Sequence, residues 1–235
     1  MRLVSLVPSV TETLVHWRLD VVGCTRFCEQ PLITHVGGTK DPQLDAIVAL
    51  YPDLVVLDRE ENRREDAEAL RAAGVRIHVT HVTSVDDVEP MLDDLAAAVG
   101  FVRHPSVAHE PRVPPDAQRI SAFVPIWRRP WMTIARSTYA GSVLHNLGVD
   151  TLPSAPESVY PTVELDEVAA LRPELVLLPS EPYPFAQRHI ADVARSFGHA
   201  RIVLVDGQDL FWWGIRTPMA IERLRDVLRD AMSPG

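Results

Sequence analysis

Residues 44–57 read LDAIVALYPDLVVL, and residues 165–178, an offset of 121, read LDEVAALRPELVLL. Eight of the fourteen positions are identical, and Ile/Val, Asp/Glu and Val/Leu exchanges account for three more, without a gap. A single repeat at this spacing is not the short, many-copy period of a solenoid. It predicts two lobes built to one plan. Within each copy, apolar residues at helical spacing (Leu44, Ile47, Val48, Leu50) run into Pro52, which ends the helix. Leu54-Val55-Val56-Leu57 then reads as a strand buried on both faces of a parallel sheet, matched by Leu175–Leu178. A further strand follows in each copy, Arg76–Val79 and Arg201–Leu204, so both lobes are expected to be α/β.

Bulk properties exclude some partners. The chain has 235 residues and a formal charge of −9, which argues against nucleic acid and anionic membrane. No apolar run approaches the ~20 residues of a transmembrane helix. The opening MRLVSLVPS lacks the pattern of a signal peptide, so a cytoplasmic location is expected, or an extracytoplasmic one if the sequence is a trimmed mature form. Cys24 and Cys28 make no disulfide framework and are expected to be structural or free thiols.

Further elements are expected along the chain. Residues 2–7 and 21–24 read as strands, and Ser9-Val10-Thr11-Glu12 as a capping box. Residues 36–42, VGGTKDP, form a turn-rich loop. Helices are expected over 62–73, closed by Gly74, and over 84–99, closed by Gly100. Residues 101–118 carry four prolines and no apolar periodicity, which marks an irregular connector. The expected division is an N-terminal lobe over 1–83, a linker helix and connector over 84–118, and a C-terminal lobe over 119–235. The second lobe should hold a strand over 119–126, helices around 142–147 and over 185–197, a strand at 202–205, and a terminal helix over 218–232.

Ligands of open α/β sheets bind beyond the carboxyl ends of the strands. That rule selects Pro8-Ser9, residues 58–63, 127–131, 180–185 and 207–216. Four of the five tryptophans (127, 131, 212 and 213) fall in these segments, and aromatic faces with few polar groups suit a flat, largely apolar ligand. Core packing is the alternative for each ring. Glu60 and Glu181 share the 121-residue offset; either both approach a ligand or both serve as helix N-terminal charge. Ser9 is accounted for by capping, and His189 is expected on a helix surface. His78 and His81 fall on opposite faces of a strand and its end. The chain has no G-x-S-x-G elbow, no phosphate loop and no G-x-G-x-x-G fingerprint.

Taken together, SLVPSVTE, VGGTKDPQLD, EENRRED, PIWRRPWM, ARSTYAG, SEPYPF and VDG followed by WWGIR carry a resemblance. The chain resembles the cobalamin- and siderophore-binding class of ABC-transporter substrate-binding proteins over nearly its whole length. The likeness is to the branch without a signal peptide described as helical-backbone metal receptors. The resemblance implies two Rossmann-like lobes with parallel sheets facing a central cleft, joined by a helical or, here, shortened linker. It implies a binding protein for a metal chelate, corrinoid first and haem or ferric siderophore next, with no covalent cofactor. An ABC permease is the implied partner if the protein is exported. By motif, the implied ligand residues in lobe one are Pro8, Phe27, Lys40, Glu60, Glu61 and Asn62. In lobe two they are Trp127, Trp131, Arg136, Tyr160, Glu181, Tyr183, Phe185 and Trp212. Two alternatives stand beside this. One is a cytoplasmic enzyme on the same scaffold, using Glu60, Glu181, Cys28 or His189; the other is direct binding of a metal ion.

Overall fold

The computed structural model describes residues 1–104, 113, 118–154 and 157–233, so most of the connector expected over 101–118 lies outside the described residues. The chain divides into two compact units. Among described residues, the first holds 1–82, 86–104 and 213–215, and the second holds 83–85, 113, 118–212 and 216–233.

The first unit runs β1 (Arg2–Ser5), α1 (Pro8–His16), β2 (Asp20–Cys24), β3 (Thr34–His35), α2 (Leu44–Ala49), β4 (Leu54–Asp58), α3 (Arg64–Ala72), β5 (Ile77–Thr80) and α4 (Val88–Val99). Its sheet is parallel throughout, in the order β3-β2-β1-β4-β5. β4 is flanked on both sides and buried at every residue, as its unbroken apolar run requires. Ile47 and Leu70 pack from the helices against Val4, Val55 and Leu57. Gly100 closes α4 at φ 69, and Gly74 follows α3 at φ 80, both in the left-handed region that glycine enters without a steric cost. The helix expected from Ser84 begins with a 3-10 turn, Val85–Asp87, before α4.

The second unit runs β6 (Ile120–Phe123), β7 (Pro125–Trp127), β8 (Met132–Thr133), α5 (Tyr139–Asn146), β9 (Val149–Thr151), α6 (Leu165–Ala170), β10 (Leu175–Pro179), α7 (Gln187–Ala194), β11 (Arg201–Val205), α8 (Gly207–Phe211) and α9 (Thr217–Met232). Its parallel sheet has the order β11-β10-β6-β9, and β7 and β8 form a separate antiparallel pair. Phe123 and Phe197 stack in its core at 5.3 Å between ring centroids.

The repeat is structural. α2 with β4, and α6 with β10, match residue for residue at the 121 offset. The correspondence includes Tyr51 and Arg172, both left-handed at φ 48 and 52, immediately before Pro52 and Pro173.

Several expected elements are corrected. Ser9-Val10-Thr11-Glu12 is not a capping box: Pro8 occupies the first turn, Val7 is the N-cap, and Ser9 is buried inside α1, its carbonyl accepting from Thr13 Oγ1. Proline's fixed φ starts the helix a residue earlier. The strand expected over 119–126 breaks at Val124, because Pro125 has no N–H to give a central ladder. The chain leaves the sheet there and pairs with β8. The helix expected over 185–197 starts only at Gln187, with the extended Ala186 as its N-cap. β3, β8, β9 and α8 were not anticipated as separate elements.

Candidate functional site

In the second unit, the loops after β7 and β10 bring aromatic rings into one run. Trp127, 45% exposed, meets Tyr183 edge-on at 5.7 Å. Tyr183 lies 4.7 Å from Phe185, and Phe185 stacks on Trp131 at 6.1 Å and 10°. Exposure falls from Trp127, open to solvent, through the half-buried Tyr183 to Phe185, which is buried among core residues with Val193 and Phe197, while Trp131 is half-buried. Phe185 therefore supports the surface, and Trp127 and Tyr183 present it. Arg128 lies over the Trp131 ring at 5.7 Å and pairs with Asp192 at 2.9 Å.

His189 closes this cluster. It is buried, not on the helix surface as expected, and meets Tyr183 and Phe185 edge-on at 5.6 Å each. Its Nδ1 accepts from the Ala186 N–H at 2.9 Å, satisfying an amide left open at the start of α7. The neutral ring therefore carries its proton on Nε2, where it can donate but not ligate. Burial pushes its pKa down, and the charges of Arg188 and Arg128 push it the same way. Sequence reasoning missed this role because a third-position histidine is not among the usual capping residues.

Glu181 and Trp212 form the next cluster. The indole Nε1 donates to the Glu181 carboxylate at 2.9 Å, so this glutamate serves neither as free charge nor simply as helix N-terminal charge. Arg216 lies over the Trp212 ring at 5.0 Å. The buried Asp209 accepts from Arg223 at 2.6 Å and Arg216 at 3.4 Å. Ser180 Oγ accepts the Gly207 N–H at 2.8 Å, and a Cβ on Gly207 would collide with the Glu181 backbone. The two loops thus fix each other.

The remaining second-unit candidates lie elsewhere on it. Arg136 bonds His145 Nε2 at 2.8 Å, and His145 Nδ1 bonds Asp150 at 2.9 Å. Tyr160 lies on the segment beside β8, between the Val159 carbonyl that accepts from Ala135 and the Pro161 carbonyl that accepts from Thr133. Neither joins the aromatic run.

In the first unit, Lys40, Glu60, Glu61 and Asn62 come together. Lys40 Nζ donates to the Glu60 carbonyl at 2.6 Å. Asn62 is buried, accepting from Asp58 N at 2.7 Å and donating to Leu6 O at 3.1 Å and Thr39 O at 3.0 Å. It ties the loops after β1, β3 and β4 together, with its donors and acceptor all engaged. Asp58 caps the Glu60 and Glu61 amides, and burial pushes its pKa up. Pro8 is the first residue of α1, and the exposed Phe27 carries the Arg26 guanidinium 4.8 Å above its ring. Cys24 and Cys28 are free and buried, and Cys28 Sγ contacts Thr11 and Thr25 hydroxyls at 3.3 Å each. Among the described residues, no group of three or more His, Cys, Asp or Glu side chains could hold a metal ion, and no helix is long and apolar enough to cross a membrane.

Against known proteins, the chain is 23% identical over 195 residues to the vitamin B12-binding protein of Yersinia pestis (strain Pestoides F), covering 75% of this chain and 69% of that one. The periplasmic vitamin B12 binding protein BtuF of Vibrio cholerae superposes with a TM-score of 0.78, at 19% identity and coverage of 99% and 98%. The chain has the substrate-binding-protein fold. A periplasmic heme binding protein from Pseudomonas aeruginosa superposes equally well, with a TM-score of 0.79 at 17% identity and coverage of 100% and 94%. No protein-family model matches the chain. The chain is thus similar in sequence and fold to the class its motifs resembled. These proteins are periplasmic and give the expected cytoplasmic location no support.

Proposed function

We propose that the protein binds a flat metal chelate, corrinoid first and haem or ferric siderophore next, and passes it to an ABC permease. The observation that carries this reading is the run Trp127–Tyr183–Phe185–Trp131, which offers ring faces and edges at the end of a parallel sheet. The similarity to B12- and heme-binding proteins supports the ligand class. The periplasmic location of the similar structures supports the extracytoplasmic alternative, where a permease partner would be needed.

The test is a titration of purified protein with cobalamin, haem and a ferric siderophore, read by visible absorbance and tryptophan fluorescence. Trp127→Ala should weaken binding of the recognised ligand about tenfold, the equivalent of ~1.4 kcal/mol. Unchanged affinity in that variant would remove the aromatic surface from the reading. Phe27→Ala and Lys40→Gln in the same assay measure the contribution of the first unit's candidates.

A further inference from the structure

The segment from Tyr183 to Ala186 carries two rings of the aromatic run, and a histidine side chain ties it to α7. Pro184 has no N–H, and the Phe185 N–H turns back onto the Tyr183 carbonyl at 2.8 Å. The Ala186 N–H goes to His189 Nδ1 at 2.9 Å, and the His189 N–H returns to the Ala186 carbonyl at 2.8 Å. Ala186, the N-cap, has no side-chain oxygen with which to close the helix end, so the imidazole takes that part alone. The same ring is 5% exposed and packs edge-on against Tyr183 and Phe185 at 5.6 Å each. One side chain thus holds both the backbone and the rings of the segment.

The Nδ1 bond exists only while the imidazole is neutral. A protonated imidazole has no lone pair, so its Nδ1–H would face the Ala186 N–H, donor against donor. The groups around the ring are Arg188 and Asp192 on α7, Arg128 from the loop after β7 and the Tyr183 phenol from the loop after β10. Asp192 is already shared between Arg128 and Arg195, at 2.9 and 3.2 Å. Burial, with the charges of Arg188 and Arg128, holds the pKa of His189 below the ordinary 6.5.

We propose that His189 is a positioning residue that makes the aromatic surface pH-sensitive. Neutral, it holds Tyr183 and Phe185 in place; protonated, it releases their segment and weakens ligand binding. This rests on the chelate-binding reading above, but one arm of its test needs no ligand.

The experiment compares the wild-type protein with His189→Gln and His189→Leu at about pH 7.5 and about pH 5. Glutamine keeps an acceptor at the third helical position and does not titrate, whereas leucine has no acceptor. Without ligand, NMR reads the protection of the Ala186 amide against hydrogen exchange, relative to the Leu177 amide in β10. On acidification that protection should fall about tenfold in the wild type, stay level in His189→Gln, and be low at both pH values in His189→Leu. With cobalamin, haem and a ferric siderophore as probes, the affinity of any that binds should follow the same pattern. A wild-type pH profile shared by His189→Gln, or wild-type behaviour in His189→Leu, overturns the proposal. Wild-type affinity that ignores pH also overturns it, while leaving chelate binding intact. Protection that follows the pattern with no probe bound supports the positioning role and overturns chelate binding.

Discussion

Asp209 shows how single side chains set the second unit's surface. Its buried carboxylate gathers Arg216 and Arg223, and Arg216 in turn covers the Trp212 ring that donates to Glu181. Asp209→Asn should lower stability by about 2 kcal/mol, the scale of a hydrogen bond to a charged group, and denaturant melts would measure it. Glu181→Gln should keep ligand affinity within a few-fold, because an amide oxygen can still accept from the Trp212 indole; a loss of affinity above tenfold would mean that the carboxylate touches ligand. Of the two thiols, Cys24 is predicted to be inert in the native state, whereas its hydrogen bond lowers the Cys28 pKa to about 6. Cys24 is fully buried, and both the neighbouring Cys28 and burial push its pKa up. Mass spectrometry after alkylation should find Cys24 unmodified until the protein is unfolded.

At the scale of elements, the repeat explains what could be read in advance. Its apolar runs and prolines mark α2, β4, α6 and β10 because burial on two faces leaves an unbroken signature. The left-handed residues before the prolines are not legible, since Tyr51 and Arg172 share no chemistry and neither is a residue that favours that region. Glycine is free of the Cβ clash there, so Tyr51→Gly and Arg172→Gly should keep or raise stability, by up to about 1 kcal/mol, whereas β-branched replacements should lower it. Phe197→Ala should cost about 3–5 kcal/mol through the cavity left beside Phe123. The hairpin of β7 and β8 was hidden for a different reason. Its residues continue the apolar pattern of β6, and only the missing N–H of Pro125 turns them away. Of the candidate site, the loop positions followed from the sheet rule, and the tryptophans were visible by type. The ring contacts, the His189 cap and the Asn62 tie between three loops depend on side chains distant in sequence, for which no local pattern exists.

For the whole molecule, the buried His189 and the half-buried His78 predict how stability follows pH. Burial pushes the pKa of His78 down, with Asp94 at 3.5 Å acting the other way, and burial together with Arg188 and Arg128 pushes His189 down. Both therefore sit below the ordinary value of 6.5 in the folded state. As pH falls below that value the unfolded chain takes up protons that the folded chain refuses, so stability falls through the window and levels off beneath the folded pKa values. Urea melts at about pH 7.5 and about pH 5.5 should show the loss, and His78→Gln should lessen it. At this scale the proposed chelate binding has its direct support in the aromatic surface. The most direct measurement is an absorbance and fluorescence titration of the purified protein with cobalamin, haem and a ferric siderophore, checked by native mass spectrometry. Saturable, stoichiometric binding of at least one of the three is the predicted result; no response to any of them would contradict it.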